Sequence, residues 1–194
     1  MALESEFLAA MRTALLLLIA SVLHADDWPQ WLGPQRDGVW RETGIAEKFP
    51  EGGPKVLWRV KVGGGYTGPA IAAGKVYLMD RQVAEKSSVP GNAFARGVIP
   101  GTERVLCLDA VSGKQLWEHR YDCTYTMSYS TGPRCTPLVS GGKVWTVGAE
   151  GNLLCLDAAN GQVLWSHDFK ADFGARTPMW GFAGHPLLDG QRLI

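Results

Sequence analysis

The sequence predicts an all-β fold made of repeated four-stranded antiparallel sheets. Three observations lead to this prediction. The 194 residues include 24 glycines, 11 prolines and 8 tryptophans, a mixture of turn residues and β-favouring aromatics that is typical of frequent hairpins. No long amphipathic helical pattern follows residue 25. One stretch of the chain recurs at a fixed offset, which marks an internal repeat.

The repeat has a period of 48 residues. Val105–Tyr121 reads VLCLDAVSGKQLWEHRY and Leu153–Phe169 reads LLCLDAANGQVLWSHDF, so matched cysteines are 155 − 107 = 48 residues apart. The other matched pairs are Asp109 with Asp157, Gly113 with Gly161, and Trp117 with Trp165. Periods in this range are typical of propellers and solenoids.

The pattern inside the unit identifies it as one blade of a β-propeller. Four short apolar runs are separated by tight turns; they lie at 136–139, 143–147, 153–156 and 162–167. We expect the Asp157 carboxylate to accept backbone N–H groups where the third strand ends. Gly161 should take the positive φ that closes the turn. The Trp165 indole should supply apolar area that one blade buries against the next.

The predicted units have boundaries that can be compared with a structure. Blade 1 covers about 66–121 and contains an inserted loop at 82–102, blade 2 covers about 132–169, and a third blade starts at about 177–194. The insertion is rich in glycine and proline and too long for a simple hairpin, so we predict a flexible surface loop.

The chain stops inside the second strand of the third unit, at Ile194. A propeller closes a ring of roughly four to eight blades, whereas this chain holds about two and a half. We therefore expect a partial β-propeller whose missing blades belong to a parent ring of seven or eight. The alternative is a small β-sandwich with a duplicated hairpin pair.

The N-terminus predicts export. Ala14–Leu23 is a short apolar run that is too short to span a bilayer, and Ala25 offers a cleavage point, so residues 1–25 are interpreted as a signal peptide. The acidic Glu4 and Glu6 are unusual there, and the true start is placed at Met11. We expect a periplasmic or secreted protein; the alternative is a buried apolar segment of the domain.

Charge and motifs exclude several function classes. Lys plus Arg equals Asp plus Glu at 19 each, which gives no electrostatic footprint for nucleic acid or an anionic membrane. Residues 63–68 fit G-x-G-x-x-G, but Pro69 and a strand follow where a dinucleotide site needs a helix. His119 and His167 are repeat-equivalent and are interpreted as structural. No catalytic residue and no metal ligand is predicted.

The repeat resembles a known family. The signature LCLDAxxGxxLW, preceded by GKVYxxD or GGKVWxxG, is similar to the PQQ-like repeat of BamB-type assembly factors and quinoprotein alcohol dehydrogenases. The opening Trp28-Pro-Gln-Trp31, with Gly33–Gly38, resembles exported repeat proteins of planctomycete-like and verrucomicrobial bacteria. The resemblance covers residues 28–194 and implies the propeller fold, whereas one fold hosts many functions.

The resemblance implies two different functions. BamB-like proteins use the ring as a docking scaffold without a cofactor, and this implies a protein partner or envelope component. The dehydrogenases hold PQQ on the axis beneath a disulfide of adjacent cysteines, with a bridging calcium ion. This sequence contains no adjacent cysteine pair and no evident calcium-ligand spacing, so no catalytic residue is carried over. A scaffold is favoured, a PQQ and calcium enzyme is the alternative, and a carbohydrate-binding propeller is the second alternative.

Linkers between the units supply the candidate binding residues. Tyr66, Tyr129 and Trp180 occupy repeat-like linker positions, and Arg134 follows in the second linker. They predict an aromatic face for a ligand or partner, with packing over a blade edge as the alternative.

The four cysteines fall into two pairs. Cys123 and Cys135 could form a disulfide in an oxidising compartment, or remain two buried thiols. Cys107 and Cys155 are expected to be small apolar core residues.

Overall fold

The computed structural model describes residues 26–194, and the predicted signal peptide lies outside the described residues. The described chain contains ten strands and one short helix. In chain order they are β1 (Ala70–Ala72), β2 (Lys75–Val83), β3 (Gly101–Asp109), β4 (Gln115–Asp122), β5 (Leu138–Ser140), β6 (Lys143–Val147), β7 (Asn152–Asp157), β8 (Val163–Asp168), α1 (Phe169–Phe173), β9 (Leu188–Asp189) and β10 (Arg192–Leu193).

The strands form two four-stranded sheets and one hairpin. The strand orders are β1-β2-β3-β4 and β5-β6-β7-β8, and β9 pairs with β10. Every pairing joins consecutive antiparallel strands, as expected of blades made from successive hairpins. The predicted four-stranded antiparallel units are therefore confirmed, with blade 1 formed by β1–β4 and blade 2 by β5–β8. None of the helical segments in residues 26–194 is long and apolar enough to cross a bilayer.

The predicted turn chemistry is present in both repeats. The Asp109 carboxylate accepts from the Ser112 backbone N–H at 2.7 Å, and Asp157 accepts from Ala159 at 2.8 Å. The hydrogen bonds from Ser112 lower the pKa of Asp109. Gly113 and Gly161 take φ values of 71° and 75°, which closes each turn in the left-handed region.

A tryptophan from the preceding part of the chain covers the Asp-to-Gly turn of each blade. Trp117 is 8% exposed, its Nε1–H donates to the Ala158 carbonyl at 3.1 Å, and a Cβ on Gly161 would lie 2.5 Å from its ring. Trp58 makes the same contact with blade 1: its Nε1–H donates to the Ala110 carbonyl at 3.0 Å, and its ring covers Gly113. Each turn glycine thus leaves the space that an indole fills.

The corresponding prediction for Trp165 stays a prediction. Trp165 is 39% exposed, and the contact between the two blades is made by Trp117 instead. The third unit as described consists of β9 and β10, and the Asp-to-Gly turn that Trp165 is predicted to cover is not among residues 26–194.

The main core lies between the two blades. It joins side chains from β1–β4 with Val144, Leu154 and Leu156 of blade 2. Cys107 belongs to this core, and Cys155 belongs to a second cluster with Leu138 and Trp145. Both thiols have zero exposure, which confirms their interpretation as small apolar core residues.

The N-terminal segment crosses the first strands of the blades. We call residues 28–36 the N-terminal strap. Trp28 pairs with Ile71 of β1 through hydrogen bonds of 2.8 and 2.9 Å, and the Pro29 carbonyl accepts from Val139 of β5 at 2.8 Å. Since β1 and β5 adjoin each other, the strap covers the edges at which the two sheets converge.

The strap also reaches the third unit. Trp31 stacks on His185 with ring centroids 4.5 Å apart and an interplanar angle of 2°. Arg36 donates to the Pro186 carbonyl at 3.1 Å. A single short segment therefore contacts all three units.

The inserted loop is shorter than predicted. Strands β2 and β3 extend to Val83 and back to Gly101, so the connection runs over 84–100 instead of 82–102. The longer strands continue the ladder because each added pair satisfies backbone groups that would otherwise lie open. The loop is tied to the second linker: Tyr129 donates its backbone N–H to the Ala93 carbonyl at 2.7 Å, and the Ser128 hydroxyl donates to Phe94 at 2.8 Å.

Candidate functional site

The four predicted binding residues line one pocket. The pocket has a volume of about 280 Å³, and its lining consists of Tyr66, Tyr129, Arg134, Trp180 and Ala183. These residues come from three separate linkers, each leading from one unit towards the next. The signal that found them was their equivalent position in the repeat, because equivalent linkers of neighbouring blades meet on one face.

Close backbone approach brings the first two linkers together. Tyr66 donates its backbone N–H to the Pro133 carbonyl at 2.8 Å. A Cβ on Gly132 would lie 2.1 Å from the Gly64 carbonyl oxygen, and one on Gly64 would lie 2.6 Å from the Thr131 carbonyl oxygen. At each of these two positions any side chain would clash with the facing carbonyl oxygen, so only glycine is accommodated. The Gly63–Gly68 run therefore serves chain packing, and the strand that follows confirms that it is no dinucleotide fingerprint.

The third linker joins through one backbone contact. Ser128 donates its N–H to the Met179 carbonyl at 2.9 Å, which places Trp180 beside Tyr129. Tyr129 has a φ of 54°, a region that costs a non-glycine residue about 1–2 kcal/mol. Its hydrogen bond to Ala93 holds this conformation, so the inserted loop helps to aim the Tyr129 ring.

The pocket walls are aromatic rings set edge to face. Tyr129 meets Trp180 at a centroid distance of 6.3 Å and an angle of 83°, and meets Phe94 at 5.3 Å and 77°. Tyr66, Trp180 and Phe94 remain 50%, 57% and 64% exposed. Phe94 was missed by the sequence analysis because it lies in the insertion, which has no counterpart in blade 2.

Arg134 forms the cationic part of the pocket. Its guanidinium donates to the carbonyls of Gly132, Ser128 (3.1 Å) and Tyr129 (2.5 Å). The same group lies 5.3 Å from the centroid of the Tyr66 ring. Among residues 26–194, no carboxylate makes an ion pair with Arg134. Its positive charge is therefore held in place by neutral groups and stays available to an anion.

A second arginine lies behind the pocket. Arg81 is 2% exposed, its guanidinium stacks 3.8 Å from the centroid of Tyr125, and it donates to the carbonyls of Ser130 (3.2 Å) and Ile99 (2.5 Å). Burial lowers the pKa of Arg81, and the nearby Arg134 acts in the same direction. Two guanidinium groups, Arg134 in the lining and Arg81 behind it, thus lie near the same Tyr125 ring.

One buried carboxylate balances part of this charge. Glu103 is fully buried and accepts hydrogen bonds from the hydroxyls of Tyr121 and Tyr125 and from the Ala149 N–H at 3.0 Å. Burial, together with this carboxylate, raises the pKa of both tyrosines, so they remain hydroxyl donors. Glu103 faces Arg81 across the β2–β3 ladder and leaves Arg134 without an acidic partner.

The proposed disulfide between Cys123 and Cys135 is not formed in the structure. Both are free, buried thiols with different partners. The Cys123 thiol faces the Asn152 side-chain oxygen at 3.7 Å, while Cys135 donates to the Gly184 carbonyl at 3.0 Å. Burial raises the pKa of Cys135 to about 12, which keeps it a thiol. The structure therefore has the alternative arrangement of two buried thiols.

The buried carboxylates of residues 26–194 do not fit a quinone and calcium centre. Asp80 is held by Arg104 through contacts of 2.8 and 2.6 Å, and Glu150 by Lys170 at 2.9 Å and Thr177 at 2.6 Å. Glu103 is held by two tyrosines, as described above. Within the described range, no three His, Cys, Asp or Glu side chains come together as a metal site. No dehydrogenase step is assigned to these residues.

Comparison with known proteins agrees with this architecture. The family model for the outer membrane protein assembly factor BamB matches residues 101–194. Over these residues the chain carries PQQ-like β-propeller repeats. The solved quinohemoprotein alcohol dehydrogenase from Comamonas testosteroni aligns with 91% of this chain at a TM-score of 0.55 and 16% identity. That similarity shows that the two proteins share the propeller fold.

Two further solved structures match over less of this chain. BamB from Moraxella catarrhalis is 17% identical over 71% of it, with a TM-score of 0.37, and a europium-containing methanol dehydrogenase is 21% identical over 58%, with a TM-score of 0.28. No curated protein matches. The chain spans 24% of the Comamonas enzyme, 45% of the Moraxella BamB and 26% of the methanol dehydrogenase.

Proposed function

We propose that this chain is part of an exported PQQ-like propeller that acts as a binding scaffold without catalysis of its own. In this proposal a protein partner is bound at the pocket of Tyr66, Tyr129, Arg134 and Trp180. The observation that carries the proposal is the convergence of these four side chains from three linkers into one pocket.

The chemistry of the pocket supports protein binding. Trp, Tyr and Arg are the residue types enriched at interaction hot spots, where a few side chains provide most of the binding free energy. Half of the Tyr66 and Trp180 surface remains open to solvent, whereas rings that merely covered a blade edge would be buried. Exposed aromatic groups gathered in one place mark interaction sites.

The two alternative functions have weaker support. A dehydrogenase would need a calcium ligand set, and the buried carboxylates Asp80, Glu103 and Glu150 are already engaged by protein groups. A carbohydrate site commonly offers a flat ring face, but Tyr66 carries Arg134 on its ring and the other walls meet edge to face. The dehydrogenase alternative rests on the family resemblance, and the carbohydrate alternative rests on the aromatic linkers and the predicted export.

Export is the second part of the proposal. It rests on the apolar run Ala14–Leu23 and the small residue Ala25, which precede the described chain. N-terminal sequencing of secreted or periplasmic material should begin at Asp26. A mature chain that retains Leu15–Leu18 would show that the segment is not a removed signal.

The binding function is tested by crosslinking in an envelope fraction followed by mass spectrometry. The bait is compared with a variant in which all four pocket residues are alanine, and with Trp40→Ala as a matched control. Trp40 is 58% exposed, close to the 57% of Trp180, but lies outside the pocket. We expect a partner that is retained by the control and lost by the fourfold variant. Equal recovery with both baits would refute the proposal.

A further inference from the structure

We infer that the pocket receives a carboxylate side chain flanked by an apolar one, carried on a peptide segment of the partner. This inference rests on the proposed function and specifies what the pocket selects. Its two parts are a cation without an acidic partner and a set of exposed aromatic walls around it.

The electrostatic part begins with Arg134. Three of its N–H groups are fixed on backbone carbonyls, so the guanidinium is oriented before any ligand arrives. Neutral carbonyls leave its charge in place, and Arg81 adds a second positive charge behind Tyr125. The carboxylate of Glu103 offsets one of the two guanidinium charges. The remaining positive charge complements an anion.

The anion is expected to be a carboxylate. A guanidinium binds carboxylates and phosphates well because its planar N–H groups match their oxygen geometry. Here the neighbouring surface is aromatic and contains Phe94, Tyr129 and Trp180. A doubly charged phosphate would lose much of its hydration against these rings. A carboxylate beside an aliphatic or aromatic side chain satisfies both parts of the pocket.

Ring geometry favours a protein side chain over a sugar. Tyr129 meets both Phe94 and Trp180 edge to face, and Tyr129 and Trp180 line the pocket into which a side chain can insert. The inserted loop supplies Phe94 and also fixes Tyr129 through the Ala93 carbonyl. The insertion of blade 1 therefore packs behind Tyr129 and orients a ring that lines the pocket.

The test uses two blocked tripeptides, acetyl-Leu-Asp-Leu-amide and acetyl-Leu-Asn-Leu-amide, titrated into the full chain. Binding is followed by the NMR signals of the Tyr66 and Tyr129 backbone N–H groups, which lie at the pocket and are kept in every variant used below. We expect the Asp peptide to bind about five- to tenfold more tightly than the Asn peptide, the scale of one partly exposed charged hydrogen bond. The preference should fall when salt is raised, because the ion pair is partly solvated.

Variants separate the two parts of the inference. Trp180→Ala should abolish binding of both peptides, and Trp40→Ala should leave it unchanged. Arg134→Lys keeps the charge but cannot reproduce the three carbonyl hydrogen bonds that orient the guanidinium, so it should reduce the preference for Asp and leave the Asn peptide unaffected. An unchanged thermal midpoint in Arg134→Lys confirms that its linker still folds.

Each other outcome has a definite meaning. Equal binding of the Asp and Asn peptides, lost in Trp180→Ala, would overturn the carboxylate inference and leave the proposed scaffold function standing. No binding of the Asp peptide at about 5 mM, well above the weak range expected for such small ligands, would overturn it as well. Binding of glucuronate with the same dependence on Trp180 would replace the peptide with an acidic sugar.

Discussion

Removal of the Trp117 side chain should weaken the packing between the two blades and lower the free energy of unfolding. Trp117 is 8% exposed, so nearly all of the roughly 150–250 Å² that a tryptophan can bury is removed from water. At about 25 cal/mol per Å² this area corresponds to about 4–6 kcal/mol, an upper bound because the unfolded chain also buries surface. The Ala158 carbonyl would keep a partner, because the Tyr77 hydroxyl also donates to it at 3.3 Å. We therefore expect Trp117→Ala to lower the free energy of unfolding by about 3–5 kcal/mol.

The assay is urea unfolding followed by circular dichroism, with Trp165→Ala as the matched control. Trp165 occupies the same place in the repeat but is 39% exposed and covers no turn, so its removal should cost about 1 kcal/mol. If Trp117→Ala proves too unstable to purify, Trp117→Phe keeps most of the apolar area and should cost less. Equal losses for Trp117→Ala and Trp165→Ala would refute the argument that the tryptophan-to-turn contact holds the blades together.

Three further predictions concern packing, redox state and pH. Gly132→Ala should lower the unfolding free energy by more than 1 kcal/mol, because its Cβ would lie 2.1 Å from the Gly64 oxygen; Gly91→Ala, with open space around it, should change stability little. Titration of unfolded, unreduced protein should find four reactive thiols per chain, and two would show that Cys123 and Cys135 are bonded after all. His185 has a pKa below its usual 6.5 because burial, with a contribution from Arg36, disfavours the cation, and its Nδ1 accepts the Thr136 N–H at 2.9 Å. Its folded pKa is lower than its unfolded one, so its contribution is complete above about pH 6.5 and is lost as the pH falls below that value. A comparison of unfolding free energies with His185→Gln between pH 7 and pH 5 isolates this contribution, and parallel curves would contradict it.

The repeat made the blades predictable, because it fixes both turn chemistry and linker position. Asp109 and Asp157 were identified from a pattern whose physical cause is local: an acceptor where a strand ends and a glycine four residues later. Tyr66, Tyr129 and Trp180 followed from the same logic applied to linkers. Their convergence needed no knowledge of long-range contacts beyond the expectation that equivalent linkers share a face.

Features that break the repeat were missed. Trp58 lies 117 − 58 = 59 residues before Trp117, because the insertion in blade 1 lengthens the spacing beyond 48. The equivalence of Trp58 and Trp117 was therefore not recognised from the sequence. Phe94 belongs to that insertion and has no counterpart to compare. Arg81 and Glu103 flank the predicted insertion and were not identified, although charged residues on buried strands signal a polar network when both sides are satisfied.

The N-terminal strap was invisible to sequence reasoning for a different reason. Its contacts with Ile71 and Val139 are made by backbone groups, which every residue has, so no pattern of side chains in the sequence predicts them. What the sequence did show was an unusual concentration of Trp, Pro and Gly at 28–38, interpreted as a family resemblance and not as structure. In the structure those residues make packing contacts: Trp28 lies over Gly33, where a Cβ would be 2.8 Å from the indole, and Trp31 stacks on His185. The strap therefore ties the first strands of blades 1 and 2 to the third unit, and the linker of that unit presents Trp180 to the pocket. Residues 180–186 thus contribute both to the pocket, through Trp180, and to the contacts with the strap, through His185 and Pro186.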